Sequence, residues 1–154
     1  MNEQISQIKT ATRKKFLFGE KPVYSQGKKN SPELLSKVEE KYRFTFPPEI
    51  KEFLLELGSG STEDFYINHA EQIYPFDEDN GPIEGFVAIA TDTLGNYFVF
   101  NPKSENDSEI FYCCHDPLGY GKVAPDIGSF LKSFVGNGFK NLDITNELSL
   151  TEYE

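Results

Sequence analysis

Three consecutive residues, Cys113, Cys114 and His115, place two thiols beside an imidazole. Such a set can serve nucleophilic catalysis or hold zinc. The spacing fits neither. On a strand, neighbouring side chains point to opposite faces, so the imidazole is not aimed at the thiol next to it. A tetrahedral zinc needs three or four spaced ligands, and the only other histidine is His69. The cysteines are expected to be free, buried thiols. A second set, Asp77, Asp79 and Gly81, opens like a calcium loop. Pro82 then stands where the sharp-turn glycine belongs, and Ala88 where the bidentate glutamate belongs. Gly58-Ser59-Gly60-Ser61 lacks the strand that precedes a nucleophile elbow. Neither it nor Gly119-Tyr120-Gly121 leads into a phosphate loop. The sequence thus predicts no catalytic residue, no metal and no cofactor.

Binding is the remaining class. The chain of 154 residues carries 25 acids and 15 bases, a formal charge of −10. Nucleic-acid binding through phosphates needs a basic face, so no direct nucleic-acid role is expected. An acidic surface suits a basic protein partner, and it also keeps a protein soluble. The charge is uneven. Residues 1–30 hold seven bases and two acids, giving +5, and residues 31–154 carry −15. The basic arm can dock on the acidic body or face an acidic partner. Two clusters are candidates for partner binding. Asp77, Glu78 and Asp79 offer charge-assisted hydrogen bonds to Lys or Arg. His115, Asp116 and Tyr120 lie in a Pro/Gly-rich segment after a strand, where function often sits, and tyrosine is favoured at interface hot spots.

The elements that must carry these residues follow from periodicity. A short helix is expected over 3–18, with Ile5, Ile8 and Phe16 on a sparse apolar face, then a loop over 19–30. Ser31, Pro32 and Glu33 form a strong helix start, and Leu34, Leu35, Val38 and Tyr42 share a face. Pro47-Pro48 separates this helix from the next, where Ile50, Phe53, Leu54 and Leu57 repeat at i, i+3, i+4, i+7 and Gly58 ends it. Strands are expected at 65–67, 86–90, 97–100 and 110–114, with 94–96 as a hairpin turn. Residues 116–126 read as an irregular loop. Asp126 caps a last helix built on Ile127, Phe130, Leu131 and Phe134. The connections between 86 and 114 are too short for helical crossovers. The expected class is α+β: a single domain with an antiparallel-rich mixed sheet packed with helices. The expected divisions are a basic helix and loop over 1–30, a main domain over 31–136, and an extension over 137–154 anchored by Phe139, Leu142 and Ile144. Met1 to Lys15 is polar and lacks a signal-peptide core, and no apolar run is long enough to span a membrane. With unpaired cysteines, a cytoplasmic location is expected.

The stretch Val38-Glu39-Glu40-Lys41-Tyr42-Arg43-Phe44-Thr45-Phe46-Pro47-Pro48-Glu49-Ile50-Lys51-Glu52-Phe53-Leu54-Leu55-Glu56-Leu57-Gly58-Ser59-Gly60 resembles the SUKH superfamily. Its hallmarks there are a Glu-rich helix end, an aromatic link, a proline-led second helix and a Gly-rich close. Asp92 to Phe100 is similar to the family's glycine-turn hairpin. Ile110 to Asp116 resembles its strand with an acidic/histidine turn, and Ser129-Phe130-Leu131 its final helix. The resemblance covers roughly 31–136. Tyrosine is common in the family where this chain has Ile50, and the acidic insert at 77–79 departs from the pattern. The resemblance implies a protein-binding role without catalysis. Bacterial members include immunity proteins that neutralise toxins, often nucleases; fungal members are cell-wall-assembly regulators. A basic toxin domain is the expected partner, with an intracellular regulatory scaffold as the alternative.

Overall fold

The computed structural model describes residues 1–15, 19–77, 83–146 and 148–152. Ile5 and Ile8, one turn apart and both buried, hold the first helix, α1 (Asn2–Thr10). The helix expected to reach residue 18 ends here. Thr12–Lys15 (β1) instead pairs antiparallel with Gly19–Pro22 (β2). The cause is tertiary: the Arg13 guanidinium reaches Glu63 at 2.6 Å and donates to the carbonyls of Gly138 and Phe139. Phe16 lies outside the described residues. The expected loop over 19–30 also supplies Ser25–Gln26 (β3) to the main sheet, with Tyr24 and Asn30 buried beside it.

Ser31 starts α2 (Pro32–Tyr42) as expected, its hydroxyl accepting the Leu34 amide at 3.2 Å. Pro48 opens α3 (Pro48–Leu57), whose Ile50, Phe53, Leu54 and Leu57 are all buried. Gly58 ends it at φ 68°, a conformation that favours glycine. Glu39 ties the two helices together: one carboxylate oxygen accepts the Phe46 amide at 2.9 Å, and the other meets Lys51 at 2.7 Å.

The main sheet runs in chain order: β3, β4 (Gly60–Ser61), β5 (Phe65–Ile67), β6 (Val87–Asp92), β7 (Tyr97–Phe100), β8 (Ile110–His115) and β9 (Leu118–Ala124). Every neighbouring pair is antiparallel. β9 replaces the irregular loop expected over 116–126. Its glycines read as a loop signal, but they serve close approach. A Cβ at Gly119 would stand 2.8 Å from the Thr151 carbonyl, because the segment over 148–151 runs along this strand. Tyr120 and Thr151 exchange two backbone hydrogen bonds of 2.7–2.8 Å there.

Helices α1, α3 and α4 (Ile127–Gly136) cover one face of the sheet. Asp126 caps α4 through the Ser129 amide at 2.6 Å. Phe65, Phe98, Phe130 and Phe134 pack ring against ring in this core, with centroids 5.0–6.5 Å apart. The adjacent cysteines divide as strand geometry demands. Cys114 joins the helix-side core and Cys113 a smaller cluster on the opposite face. Both side chains are buried. The result is an α+β domain: helices lie on one sheet face, and among the described residues Phe76, Ile83 and Phe86 from the connection between β5 and β6 pack on part of the other.

Candidate functional site

The helix-free face begins as a row of cross-strand neighbours. Tyr66 stands opposite Thr91, Thr91 opposite Tyr97, Tyr97 opposite Cys113, and Cys113 opposite Tyr120. Three tyrosines therefore span four strand pairings on one face. Side chains alternate along a strand, so burying Phe65, Ile67, Phe98 and Tyr112 under the helices places Tyr66, Tyr97 and Cys113 on the opposite face, where Cys113 is itself buried in the smaller apolar cluster. Tyr66 is 52% exposed and Tyr74 37%. Phe76 packs edge-on to Tyr97 at 5.1 Å and Phe86 on Phe111 at 5.6 Å. Phe86 also lies 6.3 Å from Tyr120. Tyrosine offers a large, rigid contact area at low entropic cost.

Polar groups border this row. A cleft of about 530 Å³ is lined by Tyr66, Asn68, Gln72 and Thr91 together with Ser61 and Gln26. A second, of about 380 Å³, shares Asn68, Gln72 and Thr91 and adds Tyr74, Phe76 and Tyr97. A 3-10 turn, Ala70–Gln72, forms their wall. Asn30 fixes that turn: its amide oxygen accepts the Ala70 N–H at 2.8 Å while its NH2 donates to the Leu54 carbonyl at 3.0 Å.

The expected binding residues divide. Tyr120 lies in the tyrosine row. Asp77 is exposed and follows the buried Phe76 in the chain. Backbone hydrogen bonds of 2.8 Å join Phe76 to Gly85 and Phe86, and the Phe76 ring packs on Tyr97. Glu78 and Asp79 lie outside the described residues. His115 and Asp116 are exposed at the hairpin between β8 and β9. The His115 Nδ1 lies 2.6 Å from the Asn96 amide oxygen. Beyond it is a buried polar network. Asn96 donates to the Asp92 carboxylate at 3.0 Å and Tyr112 donates to it at 2.7 Å. Desolvation first, then the hydrogen bond to Asp92 and its charge, hold the Tyr112 proton well above the ordinary tyrosine range. Asp92 also accepts the amides of Leu94 and Asn96, each at 2.8 Å. This network braces the β6–β7 turn, and its carboxylate has no open side for a substrate. Among the described residues, no group of three or more His, Cys, Asp or Glu is placed to hold a metal.

The model of the SMI1 / KNR4 family (SUKH-1) matches residues 29–133. The chain belongs to this family. Comparison with curated proteins and with solved structures finds no match. SUKH-1 membership is consistent with a protein partner and with an immunity or regulator-type role. The match begins at Lys29, beside the Asn30 that fixes the 3-10 turn, and ends within α4. It therefore spans β4 to β9 and the whole tyrosine row. Among the described residues no helix is long and apolar enough to cross a membrane.

Sequence reasoning missed Tyr66, Asn68, Gln72, Thr91 and Tyr97. One signal was present. Tyr97-Phe98-Val99-Phe100 is aromatic or aliphatic on both faces, which a strand needs only when its second face also packs or binds.

Proposed function

We propose that this chain is a non-catalytic immunity-type protein that binds a basic toxin domain, such as a nuclease, and neutralises it by occlusion. The helix-free sheet face is the docking surface, with Tyr66 and the partly exposed Tyr97 and Tyr120 at its centre and the exposed Asp77 at its rim. The single observation carrying this reading is the row Tyr66–Thr91–Tyr97–Cys113–Tyr120 on the face that helices leave uncovered, in a chain of the SUKH-1 family. Aromatic anchors with amide neighbours and a charged rim are how protein interfaces are built. The −15 body supplies the field that steers a basic partner.

The test is co-expression, in the cytoplasm of a bacterial host, with any toxin domain found encoded beside the gene. Survival of the host, with a stable one-to-one complex whose affinity falls as salt rises, supports the reading. The reading fails if the chain neither binds nor protects. Recovery of defined housekeeping partners from cells lacking any toxin favours the regulatory-scaffold reading, to which the family's fungal members point.

A further inference from the structure

The 3-10 turn Ala70–Gln72 is a ridge with a different surface on each side. Towards the sheet lie the polar clefts. Towards α2 lies a groove of about 190 Å³. Its floor is aliphatic: Leu34 and Val38 from α2, then Ala70 and Ile73. Lys37 and Lys41, one turn apart on α2, stand on its rim. Glu71 lines the groove as well, but the Lys28 ammonium lies 3.6 Å from its carboxylate. Lys37 stands one turn after Glu33 on α2. Lys41 lies over the Tyr42 ring at 4.8 Å. The rim is therefore cationic on a protein of net charge −10.

We infer that this groove is a second docking site, and that its occupant is a short acidic protein segment carrying one apolar anchor side chain. Charge complementarity carries the choice. The aliphatic floor accepts a leucine-sized group, while two ammonium groups one helical turn apart meet carboxylates flanking it. A basic segment is repelled at this rim. The site is separate from the tyrosine face and does not rest on the immunity reading. Its partner carries the opposite charge.

The probe is a fluorescein-labelled heptapeptide, Glu-Asp-Glu-Leu-Asp-Glu-Asp, titrated into the full chain and followed by anisotropy and amide NMR. Saturable binding is expected, with shifts confined to Leu34, Val38, Ala70, Ile73 and their neighbours. Replacing the peptide leucine by serine, or combining Lys37→Gln with Lys41→Gln, should each weaken binding about tenfold or more. Both lysines are exposed, so the double variant should keep the parent's melting temperature, and the serine peptide tests the site without touching the fold. The inference is overturned if no binding saturates by about 1 mM, or if the shifts fall on Tyr66 and Tyr97. Equal binding of a peptide with lysine at every acidic position also overturns it. Displacement of the peptide by octanoate at equal concentration would assign the groove to an aliphatic carboxylate instead.

Discussion

The Tyr112 hydroxyl donates to the Asp92 carboxylate over 2.7 Å, at a site where Asp92 is 3% exposed. Two backbone amides and the Asn96 side chain supply the remaining donors. A buried carboxylate is tolerated only when its oxygens are fully hydrogen-bonded. Tyr112→Phe deletes one donor and leaves the charge in place. It should cost about 1–3 kcal/mol, read as a lower urea midpoint at unchanged slope. A midpoint equal to the parent's would show that this hydroxyl contributes nothing net.

Alkaline stability should report the buried tyrosines. Burial pushes the Tyr24 hydroxyl up to about 12, and Tyr112 is also raised. An unfolded tyrosine ionises near 10. From there up to about 12 the unfolded chain holds fewer protons than the folded one, so stability falls as pH rises. Below pH 10 the contribution is complete. Urea midpoints across this window should decline, and Tyr24→Phe should make the decline shallower. An identical slope in both proteins would remove Tyr24 from the account.

Tyr24 also explains Gly60. The Tyr24 hydroxyl donates to the Leu57 carbonyl at 2.6 Å, and its ring crosses β4 where a Cβ on Gly60 would overlap it. Gly60→Ala should therefore destabilise by about 1–3 kcal/mol through overpacking. In a Tyr24→Ala background the same substitution should cost less, because the colliding ring is gone, while the Ser25 carbonyl, 2.6 Å from the same Cβ, keeps the rest of the clash. A double-mutant cycle from melting curves measures that coupling, and simple additivity would contradict the overlap.

Glu39 predicts a graded pair of variants. Glu39→Gln keeps an oxygen for the Phe46 amide but loses the charge facing Lys51. Glu39→Ala loses both. The expected losses are about 1 and about 2 kcal/mol, measured by thermal unfolding in low and high salt. Only the first component should shrink with salt. Equal losses would mean that the Phe46 hydrogen bond has no net value.

The helices were legible because their signals are local. Ser31, Pro32 and Asp126 act within one turn, and the apolar repeats of α3 and α4 need no distant partner to be recognised. The pairing of β6 with β7 was legible for the same reason, through its short turn. What stayed hidden depended on remote contacts. β9 looked like a loop because Gly119 and Gly121 are small for the sake of a segment some thirty residues later. The residues after Thr10 looked helical until Arg13 met Glu63 and the carbonyls of Gly138 and Phe139. The proposed docking face was half legible. Tyr120 stood out between glycines, but its membership of a row with Tyr97 and Tyr66 is a matter of register across five strands.

That row makes a prediction that separates binding from folding. Tyr66 is 52% exposed, so Tyr66→Ala should change stability by no more than about 0.5 kcal/mol. As an anchor at the centre of an interface, the same truncation should cost about 2 kcal/mol or more of affinity. Tyr120 is half-buried against Phe86 and Phe111, so Tyr120→Ala should lower both stability and affinity. At the rim, Asp77→Asn should leave both nearly intact at high salt and slow association at low salt. Calorimetry of the variants and their binding to a basic toxin domain that the parent binds measure these quantities side by side. If Tyr66→Ala binds like the parent while Tyr120→Ala loses affinity only as far as it unfolds, the helix-free face is not the docking surface.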